Sequence, residues 1–309
     1  MEFTGCKKKL TARRFNEMDQ AFRLRALVKS RQEEIINTLK THMKARVIAI
    51  ASGKGGVGKS NFATNIAISM QKLGKRVIII DTDFGLANVE ILMGINPKYT
   101  VIDVLHGKVE MEDALTIGPL GCMFLSGGSG ISDLSDITNS QLEILINGFA
   151  KLDVLCDCII VDTRAGISNV VINFIKAASE TILITTPDPT AVADAYSLVK
   201  YIKGTVEEDA NFKLVINCVE SVKEAEEVRE RLSSVCETFL NVELKYLGHI
   251  LYDKQLVKSV RSQKPVSIMY PNALSSLTFK DISAKLLEIE IEKKSSIQSF
   301  VLKLIGRLH

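Results

Sequence analysis

The chain has 309 residues, 46% hydrophobic and 24% charged, a globular composition long enough for one large α/β domain with extensions. Its formal net charge of +3 is unevenly spread. The first 46 residues carry twelve Lys/Arg against five Asp/Glu and the remainder 27 against 31, so a basic arm precedes a slightly acidic body. The six cysteines form no C-x-x-C pair, no signal peptide opens the chain and no apolar run approaches the roughly 20 residues of a membrane span, which speaks against a zinc or iron–sulfur centre and points to a cytoplasmic protein.

In chain order, the arm (residues 1–45) holds the stretch Met18-Asp-Gln-Ala-Phe-Arg-Leu-Arg25, read as part of an amphipathic helix. An apolar, β-branched run at 47–51 follows and predicts a strand. It leads into Gly53-Lys-Gly-Gly-Val-Gly-Lys-Ser60, which fills the phosphate-loop pattern G-x-x-x-x-G-K-[ST], and a helical pattern runs over 61–72. That strand–loop–helix context is what the motif requires. The backbone N–H groups of Gly53, Lys54, Gly55, Gly56, Val57 and Gly58 can curl round phosphate oxygens, with the helix start at Asn61 adding its dipole. Lys59 is expected to reach the β- and γ-phosphates and the Ser60 hydroxyl to ligate Mg²⁺. The second lysine, Lys54, is one that an ordinary phosphate loop does not need.

Further strand-like runs fall at 77–80, 123–125, 158–161, 181–185, 214–217 and 246–250, separated by helical stretches such as 141–152, 170–178, 192–204 and 222–239. Near-continuous apolar strands joined by crossovers predict a mostly parallel sheet covered on both faces, with ligands at the strands' carboxyl ends. Two of those ends are acidic. The run at 77–80 ends in Asp81-Thr-Asp83, and that at 158–161 ends in Asp162-Thr-Arg-Ala-Gly166. Asp162 is positioned to hold the water shell of Mg²⁺, since this ion accepts few carboxylates and keeps its waters. Asp83 is expected to orient an attacking water, and Gly166 to bring a backbone N–H near the γ-phosphate.

The phosphate-loop octet, the segment Asp81-Thr-Asp-Phe-Gly-Leu-Ala-Asn88 and the segment Asp162-Thr-Arg-Ala-Gly166 together resemble the deviant-Walker-A P-loop ATPases of the MinD/ParA family over residues 46–290. The resemblance implies a doubly covered, twisted parallel sheet as the ATPase domain, residues 46–292. It also implies ATP and Mg²⁺ as ligands, and a homodimer that sandwiches ATP. Lys54 would be the signature lysine that crosses to the partner's phosphates. Asp83 would match the water-activating switch aspartate, Asn88 would lie near the dimer interface and Asn217 would contact the nucleotide base. The segment beginning Thr185-Thr-Pro-Asp-Pro-Thr190 resembles that family too. One departure is Arg164, which stands where the family usually has proline; it replaces a residue without an N–H by a cation.

Both ends narrow the resemblance. Asp19, Gln20, Ala21, Leu24 and Arg25 are similar to the activation motif of the family's flagellar-number regulators (FlhG, also called YlxH). That motif docks on the signal-recognition-type GTPase FlhF and stimulates GTP hydrolysis, with Gln20 positioning water. At the other end, Ile297, Phe300, Val301, Leu304, Ile305 and Leu308 follow helical spacing along one face, opposite Lys303 and Arg307. Residues 293–309 thus read as an amphipathic tail for the inner face of the cytoplasmic membrane. Flagellar basal-body components are further partners that the resemblance implies. Two other readings stand beside this one, a ParA-type DNA-segregation ATPase and an ATP-binding scaffold with little hydrolysis. The net-negative body disfavours nucleic acid as a partner.

Overall fold

The computed structural model describes residues 45–83, 88–128, 139–205 and 211–289. Eight strands form one sheet: β1 (Arg46–Ala51), β2 (Val77–Asp81), β3 (Thr116–Ile117), β4 (Met123–Leu125), β5 (Cys158–Asp162), β6 (Glu180–Thr185), β7 (Phe212–Val219) and β8 (Lys245–Leu251). Their order is β3-β4-β2-β5-β1-β6-β7-β8. Every pairing is parallel except β3–β4. The predicted parallel sheet is therefore present. The antiparallel edge strand β3 was not predicted, because two residues joined to β4 through a short 3-10 turn at Pro119–Gly121 show no periodicity.

Ten helices are described: α1 (Lys59–Lys72), α2 (Val89–Met93), α3 (Val101–Leu105), α4 (Asn139–Leu152), α5 (Asn169–Ala177), α6 (Pro189–Thr205), α7 (Val222–Leu240), α8 (Lys254–Arg261), α9 (Val266–Met269) and α10 (Leu274–Leu287). Alternation along the strands distributes them over two faces. Ile48 and Ile50 pack with Phe62, Ile66, Phe279 and Ile282 on the α1/α10 face. Their neighbours Ala49 and Ala51 pack with Val171, Leu198 and Leu232 on the α5/α6/α7 face. In the same way Ile78 and Ile80 face Val101 and Leu145 of α3 and α4. Both faces of β1, β2 and β5 are buried, which is why their sequences read as unbroken apolar runs. The Phe62 and Phe279 rings meet edge to face, 5.9 Å apart at 62°, and tie α1 to α10.

At the amino end of the sheet, buried Glu180 accepts ion pairs from Arg46 and from Lys213, the latter at 2.6 Å. Arg46 also donates to the Leu286 carbonyl. This contact joins the start of β1 to the end of α10.

Candidate nucleotide site

The sheet carries β1 between β5 and β6, so the loop from Ser52 to Gly58 leaves a central strand with an acidic strand end beside it. Asp81 and Asp162 lie opposite each other in the β2–β5 register, and Ile50 of β1 pairs with Asp162. The parallel register, set by the apolar runs, thus delivers three strand ends at one level.

Two glycines show why the loop sequence is restricted. A Cβ on Gly53 would fall 2.2 Å from the Asp194 carbonyl group of α6. One on Gly58 would fall 2.4 Å from Asn217 Nδ2, and Gly58 also has φ of +96°, a conformation that suits glycine. Gly58 caps α1 directly, so the helix start opens onto the loop. Asn217 donates from Nδ2 to the Val57 carbonyl at 2.8 Å and is buried. Here its amide braces the loop from β7. A bulge in β7 puts Cys218 at φ +57° directly after it.

The charged groups converge behind this loop. Lys59 is buried; burial pushes its ammonium down, and the carboxylates of Asp162 and Asp83 oppose that shift. Burial, then the neighbouring Asp81, push Asp162 up to about 7, while the Ser60 hydroxyl and Lys59 pull it down. Asp162 Oδ1 is buried without a hydrogen-bond partner. A buried carboxylate oxygen left open beside a hydroxyl fits a hydrated Mg²⁺.

Asp81, the acid that the sequence did not single out for a role, organises the next segment. Its carboxylate accepts backbone N–H groups from Asp83 (3.0 Å), Asn88 (2.9 Å) and Val89 (3.1 Å). Burial raises its pKa to about 6 against these donors. The D-x-D spacing was the available signal. Asp83 is thereby held over the site, and its Oδ1 lies 3.1 Å from Arg164 Nε.

Gly166, expected to face a γ-phosphate, donates its N–H to the Ser52 carbonyl at 2.9 Å. Lys54 turns to α6: its ammonium donates to Asp188 Oδ2 at 2.7 Å and to Thr190 Oγ1. The Lys54 hydrogen bond holds the Asp188 carboxyl down at about 2. Sequence reading missed this partner, although Asp188-Pro-Thr190 is a helix-start pattern; Thr190 N donates to Asp188 Oδ1 at 2.9 Å. Asn61 is partly buried and accepts at Oδ1 from Asn65. The expected partner-docking residues Asp19, Gln20, Ala21, Leu24 and Arg25 lie outside the described residues. So do the tail residues Ile297, Phe300, Val301, Leu304, Ile305 and Leu308. Among the described residues no helix is long and apolar enough to cross a membrane.

Known proteins agree with this geometry. A family model described as "ParA: NUBPL iron-transfer P-loop NTPase" matches residues 43–287. The antiactivator FleN of Pseudomonas aeruginosa is 37% identical over 78% of this chain and 85% of its own length. The flagellum site-determining protein YlxH of Helicobacter pylori is 34% identical over 85% of this chain and 90% of its own. Among solved structures, the MinC:MinD cell division protein complex of Aquifex aeolicus matches with a TM-score of 0.62 and 27% identity. It covers 81% of this chain and 98% of that one.

Proposed function

Because the chain belongs to the MinD/ParA family of P-loop ATPases, we propose that it is an ATP-driven switch that regulates flagellar number and placement. The observation that carries the ATP part is the convergence of Lys59, Ser60, Asp83 and Asp162 on one glycine loop. Lys59 and the loop N–H groups bind the phosphates, and Asn217 faces the base. Ser60 and Asp162 would hold Mg²⁺, which when bound would neutralise phosphate charge.

Asp83 orients the attacking water. The water oxygen bonds to the γ-phosphorus, the bridge to the β-phosphate breaks with its electron pair leaving on ADP, and the water's proton ends on the released phosphate. Hydrolysis is slow alone and is stimulated in the homodimer and at the membrane. For Lys54 to reach a second subunit's phosphates, it must exchange Asp188 and Thr190 for them. Two paired tails then hold the membrane where one does not, through effective concentration. The arm stimulates an FlhF-like GTPase.

Lys54→Gln is expected to keep ATP binding, measured by fluorescent-nucleotide titration, while losing the ATP-dependent dimer on size exclusion. A Lys54→Gln protein that still dimerises with ATP would remove the switch. A peptide of residues 1–30 is expected to raise GTP turnover by the purified partner GTPase, and the same peptide carrying Gln20→Ala to fail. Equal turnover with both peptides refutes the role given to Gln20. Salt-dependent DNA binding by the ATP form would instead favour a segregation ATPase.

A further inference from the structure

We propose that Arg164 is a positioning residue that brakes ATP hydrolysis by covering the water-orienting oxygen of Asp83. The inference rests on the ATPase reading above and adds a control to it.

Three observations combine. Asp83 Oδ1 is sealed from solvent and accepts no hydrogen bond, and the group against it is the Arg164 guanidinium, Nε 3.1 Å away. The Asp83 side chain is 20% exposed and that of Arg164 46%, so the carboxylate is the inner partner and the arginine the outer, movable one. Both backbones are anchored. Asp83 N is held by Asp81, and Thr163 beside Arg164 donates to the Ile50 carbonyl from its N–H and, at 2.8 Å, from its hydroxyl. Movement is therefore left to the side chains, and it is the arginine that has room.

The chemistry follows from the pair. To orient water, a carboxylate oxygen must accept a hydrogen bond from it. An adjacent guanidinium covers that oxygen against a water, while Asp83 stays within electrostatic reach of Lys59. The bond changes at phosphorus are unaltered; only the fraction of time Asp83 is open changes. A half-exposed ion pair contributes at most about 1 kcal/mol, so it opens readily and adds little to the fold. It can hold the open fraction down by up to about fivefold.

The test uses the full chain. Arg164→Ala is expected to raise basal kcat by up to about fivefold, with KM for ATP and fluorescent-nucleotide affinity unchanged. Arg164→Lys should stay near wild type, and Asp83→Ala should abolish turnover in both backgrounds. In nucleotide-free protein, Arg164→Ala and Asp83→Asn should shift the urea midpoint non-additively, which reports the pair without any turnover. Wild-type hydrolysis with an unchanged or lower kcat in Arg164→Ala overturns the brake and leaves the ATPase standing. Additive midpoint shifts overturn it too. A wild-type chain that binds no ATP overturns the ATPase reading, and the brake with it.

Discussion

At the scale of single residues, the site is a set of charges whose burial opposes their ionisation. Asp81 and Asp162 are nine-tenths or more buried and face each other across two strands, so each resists losing its proton. Their folded pKa values, about 6 and about 7, lie above the ordinary 3.8 of an aspartate. The folded state thus holds protons that the unfolded chain has already released. Stability of the nucleotide-free, Mg²⁺-free protein should therefore fall as pH rises from about 4 to about 7 and then level. Asp162→Asn should flatten that fall, and urea midpoints measured between pH 4.5 and 8 check it. Asp188 has the opposite sign: its depressed carboxyl contributes stability above about pH 4 that is lost towards pH 2. Asp162 and Lys59 were legible in the sequence because strand-end acids and phosphate-loop lysines have fixed spacing. The bonds that Asp81 accepts were not, since they depend on how residues 83 and 88–89 fold back.

At the scale of elements, the phosphate loop depends on packing around it. β1 is fixed by buried neighbours on both faces, α6 closes on Gly53, and Asn217 of β7 braces Val57. Helix α10 completes the α1 face through Phe279, 1% exposed. Phe279→Ala should cost about 3–5 kcal/mol by leaving a cavity under α1, read as a lower thermal midpoint and weaker nucleotide binding. A loss below about 1 kcal/mol would show that the α1 face does not need α10. The seven longer strands were legible from their apolar runs. The helices α8–α10 had not been singled out; α9 has only four residues, and α8 leaves Lys254, Lys258 and Arg261 exposed.

At the scale of the whole molecule, a basic first stretch precedes a remainder whose charge is slightly negative, and the proposed role of the last residues can be tested directly. Removing residues 297–309 should abolish ATP-dependent liposome binding while leaving nucleotide affinity intact; equal sedimentation of the truncated and full chains would refute the tail's role. A peripheral helix with few charges binds weakly alone, so under the proposed switch a dimer should sediment with liposomes more than a monomer does.

What the sequence determined by itself was local and periodic. Apolar runs with acidic ends, a glycine loop between strand and helix and a second lysine within it needed no knowledge of distant contacts. Tertiary structure decided the partners. Lys54 meets Asp188, which lies 134 positions away, and Asp83 meets Arg164 on the loop after another strand. The physical reason is that strand order sets β5 beside β2 and β6 beside β1. Charges far apart in the chain become neighbours there.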